Sequence, residues 1–142
     1  MVINRDAQLL VLDRALPLLR PGASVVHVTS HWAHLYGRVA QLPEYEPVAR
    51  SKHAGELALR AREEELRRRG IRLLVVTGDL VEGTITARLL ERAAMGLAEQ
   101  RPVVLPSPAR MAKAIVDASL DRSLPSGHTV AVGASLPSLG PR

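Results

Sequence analysis

The stretch YEPVARSK, residues 45 to 52, contains a tyrosine and a lysine whose side chains could act together on a proton. A tyrosine exchanges a proton near neutral pH only if its pKa falls well below its ordinary value of about 10. A neighbouring lysine lowers that pKa, because its positive charge favours the phenolate. Tyr45 and Lys52 are therefore candidates for an acid–base pair, provided that the chain brings them together.

The spacing of seven residues does not favour such a pair within one helix. Seven residues return to the same helical face, but the rise between them is about 10 Å, whereas a spacing of four separates two groups by one turn. Helical side chains also lean toward the N-terminus, which turns Tyr45 away from Lys52. Pro47 suits the first helical turn, so Tyr45 should precede the helix, and from a loop either Tyr45 or Tyr36 could fold inward.

The elements that position these residues are predicted from apolar spacing and from capping residues. Three short apolar runs predict buried strands, at SVVHVTS, IRLLVVTG and HTVAVGA. Asn4 is a predicted helix cap, Pro17 should bend the end of the first helix, and Gly70 should end the second. The predicted helices cover residues 4–20, 47–69, 86–100 and 107–121, and the segment between the first strand and the second helix is predicted to be a loop.

Alternation of strands and helices predicts an α/β fold with a parallel sheet. Each of the three strands is apolar enough to require cover on both faces. A three-stranded parallel sheet that begins with a helix leaves one edge open, with unpaired backbone groups. The sequence therefore looks like the second part of a larger sheet, with one domain over residues 1–134 and a tail over residues 135–142.

Composition limits the classes of protein that the chain could represent. The 142 residues suit one domain, and with 46% apolar residues but only 2% aromatic ones the core must consist of Leu, Val, Ala and Ile. No apolar run is long enough to span a membrane, no signal-peptide pattern is present, and the absence of cysteine is compatible with a cytoplasmic protein. The net charge of +5 does not predict nucleic-acid binding, because Arg67–Arg69 follow Glu63–Glu65 as helical ion pairs and stacking aromatics are scarce. The five histidines lack the acidic partners of a metal site.

The order of elements and motifs resembles the C-terminal part of the short-chain dehydrogenase/reductase family over about residues 3–134. The resemblance lies in a strand that ends in Ser30, a helix with Ser51 and Lys52, a strand that ends in a glycine turn, and a last strand in GHTVAVGA. It implies the C-terminal portion of a Rossmann-like parallel sheet, about three strands flanked by helices. The family's glycine-rich phosphate loop, which precedes these elements, has no counterpart in the sequence.

The resemblance also implies a catalytic set. Asn4, Ser30 and Lys52 match the Asn, Ser and Lys of the family, but Val48 occupies the position of its Tyr, four residues before the lysine. In the implied mechanism a hydride passes between a nicotinamide ring and a carbonyl carbon while the tyrosine protonates the carbonyl oxygen. Ser30 would polarise that oxygen, Lys52 would also bind the ribose, and Asn4 would hold a relay water. Tyr45 is the main candidate to replace the missing acid.

A partial match follows the second strand, where TGDLVEGT resembles the family's P-G-x-V-x-T loop. In the family this loop meets the nicotinamide amide and the pyrophosphate. Thr77 and Gly78 take the place of Pro-Gly and Leu80 that of Val, whereas strict spacing puts Glu82 at the Thr position and Thr84 fits only with two extra residues. A glutamate would repel a pyrophosphate. The implied cofactor is NAD or NADP, and the residues that would choose between them belong to the absent half.

The implied function is NAD(P)-dependent oxidoreduction of a carbonyl or an alcohol, which requires a phosphate-binding half from a longer product or from a second chain. The alternative is a non-catalytic relative that keeps the scaffold, and Val48 is the best reason for it. A third interpretation is a truncated product that does not fold alone. The helices at 4–20 and 47–69 carry more apolar residues than one face requires and form a dimer interface in the family, so a homo-oligomer is expected.

Overall fold

The computed structural model describes residues 3–41, 43–78, 81 and 106–133. Its helices are α1 (Ile3–Ala15), α2 (His31–His34), α3 (Glu46–Arg60), α4 (Glu63–Arg68) and α5 (Pro108–Leu120), with a short 3-10 helix at Leu16–Leu18. Its strands are β1 (Ser24–Ser30), β2 (Arg72–Gly78) and β3 (Thr129–Val132). The helix predicted at 86–100 and the candidate residues Leu80 and Thr84 lie outside the described residues.

The strands form one parallel sheet in the order β1-β2-β3, which confirms the predicted fold class. Ser24 lies opposite Arg72 and Ser30 opposite Gly78, so the carboxyl ends of β1 and β2 are level. Among the described residues, β1 and β3 each have a partner strand on one side only. The outer edge of β1 is thus one of two open edges in the part of the chain that the structure describes.

The sheet is covered on both faces, and β2 is buried almost throughout. Leu73 points to one face and joins a core built from α1, the 3-10 helix, α3 and α4, whose members are Leu12, Leu16, Leu59, Leu66 and Ile71. Leu74 and Val76 point to the other face, where they pack against Met111 and Ala118 of α5. This alternation is the period of two of a strand covered by helices on both sides.

The helices that connect the strands lie on opposite faces of the sheet. α3 stands between β1 and β2 in the chain and contributes Leu59 to the first core, whereas α5 precedes β3 and packs on the second. The strands nevertheless step across the sheet in the same direction both times. α3 and α5 therefore cover opposite faces of a sheet whose strands follow one another in chain order.

Three predicted boundaries differ from those of the structure. The helix predicted over 47–69 is two helices, because the amide of Arg62 bonds to the carbonyl of Leu59 in a tight turn, after which Leu66 enters the core. The predicted loop after β1 contains α2. Asn4 does not cap α1 but lies in its first turn. Pro17 does bend the end of the first helix, since it lies in the 3-10 helix.

α1 crosses α3 at a point of close contact that involves Gly55. A Cβ atom on Gly55 would lie 2.2 Å from the carbonyl oxygen of Asn4, so a larger residue cannot be accommodated without separating the helices. At the same crossing, Nδ2 of Asn4 donates to Oγ of Ser51, at 3.0 Å. The crossing thus fixes the helix that carries Lys52. No helix among the described residues is long and apolar enough to cross a membrane.

Candidate active site

The carboxyl end of β1 brings Ser30 next to Tyr45. The distance between Ser30 Oγ and Tyr45 Oη is 3.2 Å, a hydrogen bond in which either hydroxyl can donate. Tyr45 precedes α3 and does not belong to it, as predicted from Pro47, so its side chain is not confined to a helical face. It folds inward, is only 7% exposed, and its ring meets that of Trp32 edge to face with centroids 5.7 Å apart.

Ser30 has a second hydrogen bond, to the short helix that follows it. Its Oγ accepts from the amide of Ala33 at 3.3 Å and so caps α2. A hydroxyl has one proton and two lone pairs. After it accepts from Ala33, Ser30 keeps its proton and one lone pair for Tyr45 or for a ligand oxygen.

Lys52 lies on α3, about two turns beyond Tyr45, and is half-buried. In the part of the chain that the structure describes, its ammonium has no hydrogen-bond or ion-pair partner. Its positive charge contributes to the lowered pKa of His27, a residue of β1, the strand that ends in Ser30. A half-buried ammonium without a protein partner is suited to a ligand that carries hydroxyl or anionic groups.

Val48 and Tyr36 do not supply an acid beside Ser30. Val48, at the family's tyrosine position, is 41% exposed and has no proton to exchange. Tyr36 Oη donates to Glu46 Oε1 at 2.5 Å, and this hydrogen bond raises the pKa of Tyr36 above its ordinary value. The hydroxyl proton of Tyr36 is therefore engaged in the hydrogen bond to Glu46. Tyr45 is the tyrosine that meets Ser30.

The structure places the remaining candidates in packing contacts. The side chain of Asn4 bonds to Ser51 at the crossing of α1 and α3. Thr77 is fully buried, and its Oγ1 lies 3.1 Å from His31 Nδ1. A Cβ atom on Gly78 would lie 2.9 Å from Sδ of Met111, so this glycine is in close contact with the end of a side chain of α5.

One group of functional interest was missed by the sequence reasoning, a buried ionic cluster centred on Glu56. Glu56 is 3% exposed, and its Oε1 lies 2.8 Å from His34 Nδ1 and 2.9 Å from Arg60 Nε. Burial raises the pKa of the Glu56 carboxyl, but the hydrogen bonds to His34 and Arg60 outweigh burial and lower the pKa to about 2. Arg60 also donates hydrogen bonds to the carbonyl oxygen of Gly127 and to Oγ1 of Thr129. The signal in the sequence was the Glu56–Arg60 spacing of four on the sheet-facing side of α3.

Two further histidines border this cluster. His53 Nδ1 lies 2.8 Å from the carbonyl oxygen of Ala33, and since a carbonyl only accepts, this nitrogen carries the proton. His27, on β1, is 6% exposed. Burial lowers the pKa of His27 from 6.5, and Arg60 and Lys52 lower it further, while Glu56 acts in the opposite direction without reversing the shift.

No protein-family model matches the sequence, and no curated protein is similar to it in sequence. Solved structures do match its fold. A short-chain dehydrogenase family protein from Francisella tularensis subsp. tularensis SCHU S4 has a TM-score of 0.72 at 18% identity, with 91% of this chain and 57% of that chain covered. A short-chain dehydrogenase/reductase, glucose/ribitol dehydrogenase, from Brucella melitensis has a TM-score of 0.73 at 27% identity, with 95% and 54% covered. The chain has the fold of the short-chain dehydrogenase/reductases.

A third match has a ligand in its structure. The angucycline C-6 ketoreductase LanV, solved with bound NADP, has a TM-score of 0.69 at 23% identity, with 91% of this chain and 49% of that chain covered. The chain thus spans about half the length of the short-chain dehydrogenase/reductases that it matches. The resemblance stated from the sequence is confirmed at the level of the fold, for a part of that fold with three described strands.

Proposed function

We propose that the chain contributes the catalytic part of an NAD(P)-dependent oxidoreductase that acts on a carbonyl or an alcohol, with Ser30, Tyr45 and Lys52 as its acting side chains. The observation that supports this proposal most directly is the 3.2 Å distance between Ser30 Oγ and Tyr45 Oη. Two hydroxyls at hydrogen-bond distance can both bond to one substrate oxygen placed between them. The NADP bound to the ketoreductase LanV, whose fold this chain shares, supports the cofactor class.

The proposed chemistry assigns one task to each side chain. Ser30 donates its proton in a hydrogen bond to the substrate carbonyl oxygen and so stabilises the charge that develops there. Tyr45 transfers its proton to the same oxygen, and a positioned acid of this kind typically contributes about 10²- to 10⁴-fold in rate. The nicotinamide, when bound, supplies the hydride. Lys52 favours the phenolate of Tyr45 that remains, because its charge is positive.

The displacement of the acid from position 48 to position 45 changes how the lysine acts. The two residues are about 10 Å apart along the helix axis, so Lys52 would act on Tyr45 through its charge and not through a direct hydrogen bond. The position of Tyr45 before the helix partly offsets the lack of a direct hydrogen bond to Lys52. Tyr45 is not fixed by helical geometry, and it is packed against Trp32 instead.

The described residues fit one end of a nicotinamide cofactor. The ammonium of Lys52, half-buried and without a partner among the described residues, would bind the hydroxyls of the nicotinamide ribose. The hydroxyl of Thr77, which bonds to His31, is not available in the same way. The part of the site that would bind the pyrophosphate needs other residues, in line with the missing glycine loop.

A non-catalytic relative remains the second candidate, and Val48 favours it. At the position where the family has its acid, the chain has a side chain that cannot transfer a proton. In this alternative the bond between Tyr45 and Ser30 serves packing alone.

Two partners belong to the proposal. A phosphate-binding half would extend the sheet at the outer edge of β1, where Val28 is 45% exposed. A second copy of the chain would cover the apolar surface of α1 and α3, on which Leu10, Val11 and Leu57 are 57%, 67% and 53% exposed. Apolar surface of this extent is typical of a contact between subunits.

The test is turnover of NADH and NADPH with a panel of ketones and aldehydes, by the chain alone and by a fusion to the first half of the Brucella melitensis dehydrogenase. We expect Tyr45→Phe to lower kcat by about 10²-fold or more through loss of the acid. Tyr36→Phe, which removes the other phenol, is the matched control and should retain activity.

Two results would contradict the proposal. Full turnover by Tyr45→Phe would exclude Tyr45 as the acid. An inactive parent that gains activity on Val48→Tyr would identify the non-catalytic relative, because a tyrosine at position 48 shares a helical face with Lys52.

A further inference from the structure

α2 is a helix of only four residues, which is capped by Ser30 and contains Trp32. A single helical turn is not stable by itself. In the structure it is connected to the rest of the molecule by side-chain hydrogen bonds from both ends. Its N-terminal amide at Ala33 bonds to Ser30, and His31 bonds to Thr77 of β2.

Two further bonds connect α2 to α3, the helix that follows Tyr45 and carries Lys52. His53 donates to the carbonyl of Ala33, and His34 bonds to Glu56. The second bond is charge-assisted, because a carboxylate oxygen only accepts and Glu56 stays ionised, with its pKa lowered by His34 and Arg60 to about 2. Nδ1 of His34 therefore carries the proton in this bond.

Glu56 is the residue through which His34 connects α2 to α3. It is 3% exposed, and a buried carboxylate is tolerated only when it is paired. Arg60 pairs with it and is itself bonded to Gly127 and Thr129 at the start of β3. The carboxylate is thus fixed by α3 and β3, and His34 reaches it from α2.

We propose that Glu56 is a positioning residue, which through His34 keeps α2, and with it Ser30, at hydrogen-bond distance from Tyr45. Calling this pair an active site rests on the proposed function, but the positioning itself does not. Glu56 touches neither hydroxyl. It acts through the helix whose cap is Ser30.

The test is amide hydrogen exchange of the full chain, measured by NMR. In His34→Ala, which removes the connection but keeps the pair of Glu56 and Arg60, the amides of Ala33 and Leu35 should exchange about tenfold faster, the effect of losing one charge-assisted hydrogen bond. These amides bond to Ser30 Oγ and to the carbonyl of His31. The amides of Leu74 and Val76 in β2 should exchange at their original rates.

Two more variants test whether the charge of Glu56 is responsible for the effect. Glu56→Gln keeps the shape and an acceptor oxygen but removes the charge, so exchange in α2 should accelerate less than in His34→Ala. Glu64→Gln makes the same chemical change on an exposed residue of α4 that pairs with Arg67, and it should leave α2 unchanged.

Equal acceleration of the α2 and β2 amides would show that His34 only stabilises the fold, and no acceleration in α2 would show that it does not hold this helix. Either result overturns the proposal. Because the measurement needs no turnover, it separates this inference from the proposed function. If the parent protein is inactive but His34→Ala accelerates amide exchange in α2 alone, the proposed activity is rejected and the positioning role is retained.

Discussion

Ser30 combines two contacts that constrain its single proton. Its oxygen accepts from the amide of Ala33, which leaves its proton and one lone pair for the contact with Tyr45. Tyr45 in turn is buried against Trp32, and its hydroxyl lies at hydrogen-bond distance from that of Ser30. A substrate oxygen that enters between the two hydroxyls would therefore replace a bond between them, so that little desolvation remains to be overcome.

His27 gives a prediction at the same scale. Its pKa lies below 6.5 in the folded chain, first because it is buried and also because Arg60 and Lys52 are positively charged, with Glu56 opposing and His34 adding to the shift. Between 6.5 and the lower folded value the unfolded chain binds more protons than the folded one. The free energy of unfolding should thus decrease as the pH falls from about 7 through this range.

Urea unfolding at a series of pH values checks this expectation. His27→Gln removes the titrating group, so its stability should depend less steeply on pH between about 7 and 5 than that of the parent. An identical slope in the two proteins would show that His27 does not resist protonation in the fold.

At the scale of elements, α3 is the helix that positions most residues of the candidate site. Its N-terminal neighbour Tyr45 meets β1, its middle carries Lys52 and Glu56 over the sheet, and its outer side touches α1 at Gly55. The crossing with α1 has no space for a side chain on Gly55. The distance between these helices is therefore set by a glycine, and with it the position of Lys52.

The sign of the change in the free energy of unfolding caused by Gly55→Ala tests this crossing. In an open helical position the change should stabilise by about 1 kcal/mol, because alanine is the better helix former. Here the added methyl group would lie 2.2 Å from the carbonyl of Asn4, so we expect a loss of about 2 kcal/mol in the free energy of unfolding. Urea titration measures it, and a gain in stability would mean that the helices are not in close contact.

The elements that could be predicted from sequence are those with a strong local pattern. The run SVVHVTS is β1 from its first residue to its last, and the helix predicted over 107–121 is α5, Pro108–Leu120. The break between α3 and α4 depends on a tertiary contact, the burial of Leu66, which has no local signal. α2 has a local cap signal in Ser30, but its four residues are too few to show a helical period.

The candidate site was predictable in part for the same reason. Ser30 and Lys52 follow from motif spacing, whereas the inward fold of Tyr45 was one of several open outcomes, because a loop residue has no fixed face. Glu56 was not identified, since its role appears only when α2 and β3 pack beside it.

At the scale of the whole molecule, the described residues leave two surfaces that a larger assembly would cover. One is the outer edge of β1, with Val28 exposed beside it. The other is the apolar surface of α1 and α3.

Self-association through the second surface can be tested with a matched pair of substitutions. Val11→Lys places a charge on α1 at a residue that is 67% exposed, and Val116→Lys does the same on α5 at a residue that is 52% exposed. We expect Val11→Lys to weaken association by about tenfold or more, because a charge in an apolar contact must be desolvated, while Val116→Lys should not. Analytical ultracentrifugation over a concentration series checks this, and equal behaviour of both variants would place the contact elsewhere.

The packing of Trp32 on Tyr45 gives the protein an internal optical label. The chain contains one tryptophan, and its indole touches the phenol that faces Ser30. Any small molecule that enters beside this phenol, or any step that ionises it, would change the intensity or the wavelength of the indole emission. Binding beside Tyr45 can therefore be followed in the unmodified chain, before a substrate is known and without attaching a dye.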